Sequence, residues 1–135
     1  MFITLNLKTE RRQELQLITG PVQTAITQTG IKEGLCLIYC PHTTAGITAN
    51  SYLDPATLAD LQAELDRLIP TRVDFQHIFD TPSDAAGHIK ASLIGNQFTA
   101  IIHEGRLALG ESQGIFFWEY DGPRSRKVYL KIVEG

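Results

Sequence analysis

Three of the four histidines are the side chains best suited to catalysis or metal binding. His42 opens a polar segment of small residues, His77 follows 35 residues later, and His88 lies another 11 residues on, in a predicted helix. Imidazole binds Zn²⁺ and similar ions and exchanges protons near neutral pH, so the three could form a metal site or an acid–base group. These separations match no standard metal motif, and the simpler alternative is three unrelated histidines. His103, beside Glu104, is predicted to lie in a hairpin turn.

A second group of polar residues is basic. Lys90 lies in a predicted helix over 85–94, and Arg124 and Arg126 follow an Asp-Gly-Pro turn. Arginine binds phosphate through paired hydrogen bonds and lysine supplies a point charge, so these residues could bind a phosphorylated ligand. The alternative is that the two arginines are solvated charges of a hairpin. Asp84, at the start of the helix, would repel an anion unless a metal ion lay between them.

The composition favours one ordinary globular domain over residues 1–135. The chain is 43% hydrophobic and 20% charged, with 12 Lys and Arg, 15 Asp and Glu and a net charge of −3. A mildly acidic chain lacks the basic surface that grips nucleic acid, so we expect no nucleic-acid partner. No apolar run approaches the roughly 20 residues of a membrane span, and the first residues lack a signal-peptide pattern. We therefore expect a cytoplasmic protein without a membrane partner.

The two cysteines agree with a reducing compartment. Cys36 and Cys40 lie four residues apart in one predicted strand. In a strand their Cα atoms are about 13 Å apart, whereas a disulfide needs less than about 7 Å. The two residues cannot pair with each other, and we expect free, mostly buried thiols.

Local signals predict two to three helices. Asp54 followed by Pro55 is a strong helix start, and leucines follow at spacings of three and four residues. A short helix is predicted from Pro21 to about Thr29, and another over 85–94 with its N-cap in the Ser-Asp pair before it.

Strands outnumber these helices. They are predicted over residues 2–7, 13–17, 35–40, 98–102, 107–109, 114–120 and 126–133. Residues 35–40 are apolar on both faces, which predicts a central strand covered on both sides. Residues 41–50 are predicted to form a polar loop. Hairpin-connected strands with a few helices predict an α+β fold with an antiparallel, sandwich-like core.

Four stretches in fixed order resemble one protein family. They are residues 42–45 (HTTA), 87–95 (GHIKASLIG), 105–110 (GRLALG) and 121–126 (DGPRSR). Together they resemble the YjbQ-like family, also called the secondary thiamine-phosphate synthase family, from about residue 2 to the C-terminus. The resemblance implies two packed β layers with helices, a homotrimer with polar pockets near the subunit interfaces, and a weak ability to join a pyrimidine-methyl diphosphate to a thiazole phosphate with release of pyrophosphate.

The resemblance also implies roles for individual residues. His42, His77 and His88 would form a catalytic cluster or hold a divalent ion, Zn²⁺ or Mg²⁺. Diphosphate and phosphate contacts would come from Lys90, Ser92, Arg124 and Arg126. Asn50 and Gln113 would orient the substrate by hydrogen bonds.

The chain departs from the family pattern at several of its polar positions. Glu111 and Ser112 stand where the family usually has Thr-Trp, Ser51 stands where glutamate is common, and Asp84 stands where asparagine is frequent. The loss of a tryptophan and a carboxylate leaves two alternatives open. One is a non-catalytic trimer that binds a small anion or metabolite. The other is a metal-dependent hydrolase that uses the three histidines and Asp80.

Overall fold

Two antiparallel β-sheets and three helices make up the fold in the computed structural model, which describes residues 1–135. The elements in chain order are β1 (Phe2–Lys8), β2 (Glu14–Leu17), α1 (Thr19–Thr29), β3 (Gly34–Tyr39), β4 (Ala45–Ser51), α2 (Pro55–Leu68), α3 (Pro82–Ile94), β5 (Gln97–His103), β6 (Arg106–Leu107), β7 (Gln113–Glu119) and β8 (Ser125–Glu134). One sheet has the strand order β1-β8-β3-β5-β6 and the other β2-β7-β4. The predicted α+β class is confirmed.

The two sheets and α1 enclose the main core. Alternate residues of β3 and β8 point inward, among them Cys36, Ile38 and Leu130, all fully buried. Ile115 and Phe117 of β7 meet them from the other sheet. In all, 16 buried apolar residues form this one cluster. The period-2 pattern of the strands therefore places one face of each sheet in a shared core.

The strand that is covered on both sides is β7, not β3 as predicted. Trp118 on the second face of β7 and Tyr120, the residue after the strand, pack against Leu65 of α2. β3 is central, because it lies between β5 and β8, but its outward side chains Leu35 and Tyr39 are 49% and 38% exposed. α2 and α3 pack on the outer side of the smaller sheet, whereas the apolar outer face of the larger sheet stays exposed in the single chain.

α2 begins where it was predicted to, whereas α1 begins two residues and α3 three residues earlier than predicted. The Asp54 side chain accepts a hydrogen bond from the Ala56 N–H and caps α2, as predicted. α3 begins earlier than predicted, because Thr81 is its N-cap and accepts from the Asp84 N–H. Asp84 therefore lies inside the first helical turn. None of the three helices combines the length and the apolarity that crossing a membrane requires.

The predicted loop over 41–50 is a loop only in its first part. From Ala45 onward the chain forms β4, which pairs with β7 along its whole length. A Cβ added at Gly46 would lie 2.6 Å from the carbonyl oxygen of Gly95, so the small side chains of this segment permit close packing beside the end of α3. Polarity and small size suggested a loop, but here they reflect a tightly packed strand.

Both thiols are free and buried, as predicted. Burial raises the pKa of Cys36 and of Cys40 to about 11. Neither residue is therefore ionised near neutral pH, and the two have the character of core side chains.

Candidate metal centre

Two histidines and one aspartate meet at the start of α3. The Nε2 atom of His77 lies 3.0 Å from Oδ2 of Asp84, and the Nε2 atom of His88 lies 3.1 Å from the same oxygen. The imidazole rings are 5.2 Å apart between centroids and meet edge to face. One donor atom from each residue lies within 4.8 Å of the other two. This group is called the His77–Asp84–His88 triad below.

The helix and the preceding segment position the triad together. Asp84 and His88 are four residues apart on α3 and therefore project from the same helix face. His77 comes from the segment 69–81, which joins α2 to α3 and returns against the first helical turn. The Asp84 side chain is only 9% exposed, whereas those of His77 and His88 are 44% and 40% exposed. The carboxylate of the triad is therefore buried, while its two imidazoles remain accessible to solvent.

The carboxyl group of Asp84 is held in its charged form. Burial by itself raises the pKa of Asp84, but hydrogen bonds with both imidazoles and their charge attraction outweigh it, and the pKa falls below its ordinary value. An ionised carboxylate is the form that binds metal ions.

The donor set fits a divalent transition metal. Two imidazole nitrogens and one carboxylate oxygen suit Zn²⁺, Fe²⁺ or Co²⁺, whereas Mg²⁺ prefers oxygen ligands only. Ligand atoms about 2.0–2.1 Å from a tetrahedral ion lie roughly 3.3 Å apart. Two of the three spacings in the triad, 3.0 and 3.1 Å, are close to that value, and the third is within 4.8 Å. Three protein ligands also leave one position open, as in catalytic zinc sites.

His42 does not lie in this group. It is half-buried, and its Nε2 accepts a hydrogen bond of 2.9 Å from the backbone N–H of Lys127. Burial and the nearby charge of Arg126 lower the pKa of His42. The ring is therefore a neutral acceptor. It binds a backbone N–H group of β8 that lies beyond the end of β3 and so has no partner in that strand. Of the three histidines considered for a metal site, the structure brings together two.

Two of the four residues considered for phosphate binding are buried and form ion pairs within the chain instead. Lys90 is 1% exposed, and its Nζ lies 2.5 Å from Oδ1 of Asp66 on α2. Arg126 is 6% exposed. Its Nε and one terminal nitrogen donate to both carboxylate oxygens of Glu119, and the same terminal nitrogen donates to the Thr44 hydroxyl. These pairs fasten α3 to α2 and β8 to β7.

The other two phosphate candidates also have partners within the chain. Arg124 is half exposed and pairs with Asp121 at 2.8 Å. The Ser92 hydroxyl donates to the backbone carbonyl of His88 at 3.2 Å. The structure does not assemble the four residues into one anion site.

Asn50 and Gln113 lie near each other at the far ends of β4 and β7. Ser51 is opposite Gln113 in the ladder, and the Asn50 side chain accepts a hydrogen bond from the Ser51 N–H. Gln113 accepts one from Gly110 at 2.8 Å. Thr44, at the other end of β4, contacts α3, so Asn50 is six residues and roughly 20 Å along the strand from that contact. The structure does not bring these amides to the triad.

Asp84 is a ligand candidate that the sequence analysis does not group with the histidines. The sequence presents it as a helix cap and as a charge that would repel an anion unless a metal ion lay between them. The signal was present in the spacing Asp-x-x-x-His, because residues four apart on a helix share a face. With α3 expected to begin at residue 85, Asp84 fell just outside the helix and the pairing was not evident.

Comparisons with known proteins cover nearly the whole chain. The family model described as "UPF0047 protein YjbQ-like" matches residues 3–135. The chain is 46% identical over 133 residues to the UPF0047 protein MJ1081 of Methanocaldococcus jannaschii, covering 98% of this chain and 94% of that protein. It is 42% identical over 135 residues to the UPF0047 protein YugU of Bacillus subtilis, covering 98% and 99% of the two chains.

Solved structures share the same fold. A yjbq/upf0047 family protein of Clostridium acetobutylicum superposes with a TM-score of 0.91 at 42% identity, covering 97% of this chain and 99% of that one. A protein of Sulfolobus solfataricus, described as YbjQ-like and of unknown function, gives a TM-score of 0.94 at 30% identity, with 100% and 97% covered. Sequence and structure agree over the full length, and the chain belongs to the YjbQ-like UPF0047 family.

Proposed function

We propose that this protein binds one divalent transition-metal ion through His77, Asp84 and His88 and acts with it on a small phosphorylated molecule. The observation that carries the proposal is the convergence of three donor side chains, from a helix and from the segment before it, on a point open to solvent. Asp84 provides the negative charge, and the two imidazoles complete a set typical of catalytic metal sites.

Two reactions are candidates at this centre. The family resemblance suggests the coupling of a pyrimidine-methyl diphosphate to a thiazole phosphate, in which the departing diphosphate must be neutralised. A bound divalent ion supplies Lewis acidity, which either neutralises such a group or activates water. Lys90 and Arg126 are already paired with carboxylates, so neither is free to neutralise the departing diphosphate, and the ion would take that part. Hydrolysis of a phosphate ester is the second candidate, favoured by the open fourth position.

The first test is metal binding. We expect chelator-treated protein to take up one Zn²⁺ or Co²⁺ per chain in calorimetric titration. His88→Ala should weaken binding by more than about 100-fold, because even residues that only support metal ligands cost 10–100-fold when replaced. His103→Ala is the matched control, since His103 is exposed and pairs with Glu33 outside the triad. Absence of binding in the unchanged protein, or equal binding by His88→Ala, would refute the metal centre.

Activity assays then separate the candidate reactions. Metal-loaded protein is incubated with the two thiamine precursors or with a phosphate monoester, each beside His88→Ala. Product from the precursors in the unchanged protein alone supports the synthase, and release of phosphate alone supports the hydrolase. Metal binding without either product favours the non-catalytic alternative, a metabolite-binding protein.

We further propose that three copies associate. The trimer comes from the family resemblance, and the outer face of the larger sheet supports an interface. There, Leu35 lies between Ile101 of β5 and Val133 of β8, and the three side chains are 49–58% exposed. Such a contiguous apolar surface is typical of protein–protein contacts.

The trimer predicts a native mass of three times the 15.0 kDa chain. Ile101→Lys should lower that mass in light scattering, because a charge would be buried at the interface. Leu53→Lys, at another exposed apolar residue, should leave it unchanged. A monomeric mass for the unchanged protein would contradict the trimer.

We also propose that the protein is cytoplasmic. Two buried, unpaired cysteines are typical of proteins from a reducing compartment. A net charge of −3 also disfavours a nucleic-acid partner.

A further inference from the structure

A cavity adjoins the triad on the side of His77. It has a volume of about 220 Å³. Its lining residues come from the segment that precedes α3 and from Pro82, the first residue of that helix. Val73, Phe75 and Ile78 form much of its wall, and the His77 ring lines it as well. A molecule in this cavity would therefore touch a side chain that also belongs to the triad.

The one cationic residue that lines this cavity is Arg72. Its guanidinium carbon lies 5.0 Å from the centroid of the Phe75 ring, so the ring supports the cationic plane. Its Nε lies 3.3 Å from a carboxylate oxygen of Asp74, in a pair whose side chains are both more than half exposed. The terminal nitrogens donate no hydrogen bond within the protein. Arg72 thus contacts Phe75 and Asp74 while its terminal nitrogens remain available to a ligand.

The terminal nitrogens of Arg72 have no partner in the protein, unlike the charged groups of Lys90, Arg124 and Arg126 near α3. Lys90 is buried against Asp66, and Arg126 is buried against Glu119. Arg124 is paired with Asp121 at 2.8 Å through a terminal nitrogen. Only Arg72 combines a place in the cavity beside the triad with terminal donors that no protein group uses.

We propose that Arg72 binds an oxyanion group of the substrate, a carboxylate or a phosphate, while the rest of the substrate extends past His77 to the triad. This inference rests on the proposed function for the role of the triad. Arginine presents two parallel N–H donors that match both oxyanions. Asp80 lines the same cavity, and its carboxylate would accept a hydrogen bond from a neutral O–H or N–H group of the bound molecule. The volume limits this part of the substrate to a small fragment.

The test measures anion binding and metal binding separately. Acetate and methylphosphonate are titrated in turn into ¹⁵N-labelled protein, metal-free and Zn²⁺-loaded, while amide shifts over residues 72–82 are followed. We expect Arg72→Ala to weaken anion binding by about tenfold or more, because it removes the charge-assisted hydrogen bonds of the guanidinium. Arg72→Lys should restore only part of it. Zn²⁺ affinity should not change in either variant.

Arg106→Ala is the matched control, because Arg106 is an exposed arginine on β6 that does not line the cavity. Absence of anion-dependent shifts in the unchanged protein, or equal affinity in Arg72→Ala, overturns the inference even when Zn²⁺ binds normally. Anion binding that depends on Arg72 in a protein that takes up no Zn²⁺ would sustain the anion site and refute the proposed metal centre. The stronger of the two probes identifies the substrate group as a carboxylate or a phosphate.

Discussion

Arg126→Met is expected to lower the free energy of unfolding by about 3–5 kcal/mol. Glu119 is fully buried and accepts hydrogen bonds from Arg126, from the Thr9 hydroxyl and from the N–H groups of Tyr120 and Asp121. Methionine would occupy a similar volume but leave the carboxylate without a counter-charge in a buried site. The loss is measured as a lower midpoint in urea denaturation.

Matched variants separate the charge effect from packing. Lys127→Met removes a neighbouring but exposed cation and should change stability by less than about 0.5 kcal/mol. The double variant Glu119→Gln/Arg126→Met should be more stable than Arg126→Met alone, because it leaves no unpaired buried charge. A double variant as unstable as the sum of its single changes would contradict this explanation.

The same pair gives stability a defined pH dependence. Burial raises the pKa of Glu119, but the bonds from Arg126, Thr9 and the backbone outweigh it, and the pKa lies below its ordinary value. The stability that the charged carboxylate contributes is therefore complete above the ordinary pKa of glutamate and is lost as the pH falls through the lower folded value. The difference in stability between the unchanged protein and Glu119→Gln should shrink below about pH 4.

Asp84→Ala is expected to abolish Zn²⁺ binding while changing the stability of the metal-free protein by only about 1 kcal/mol. Its carboxylate is the anionic donor of the triad, so its loss leaves two imidazoles without the group that both contact. The fold loses little, because both imidazoles remain 40–44% exposed and can bond to water.

Thermal unfolding with and without Zn²⁺ measures both effects. An ion at 100 times its dissociation constant stabilises the unchanged protein by about 2.7 kcal/mol, and Asp84→Ala should gain nothing. Asp60→Ala is the control, since Asp60 is an exposed carboxylate on α2 outside the triad. If Asp84→Ala kept the stabilisation by Zn²⁺, the carboxylate would not be a ligand.

Features that depend on neighbouring residues could be predicted from the sequence. The start of α2 follows from Asp54 and Pro55, which act within one turn, and the strand pattern of β8 follows from alternation along the strand. The family resemblance, based on four ordered stretches, is confirmed over the full length. The predicted cover of β3 was wrong, because an apolar pattern does not specify which layer lies above a strand.

The sequence by itself determined the α+β class and the family, because each depends on residue order along the chain. The predicted start of α3 at residue 85 leaves Asp84 outside the helix face that carries His88, whereas the helix begins at Pro82. Only the tertiary structure decided which polar groups meet. The path of the segment 69–81 brings His77 to that helix face, while the end of β3 leaves His42 bound to the backbone of β8. Partners of Lys90 and Arg126 likewise come from other elements. Whether a charged side chain is free for a ligand or held in an ion pair depends on contacts that spacing along the chain does not encode.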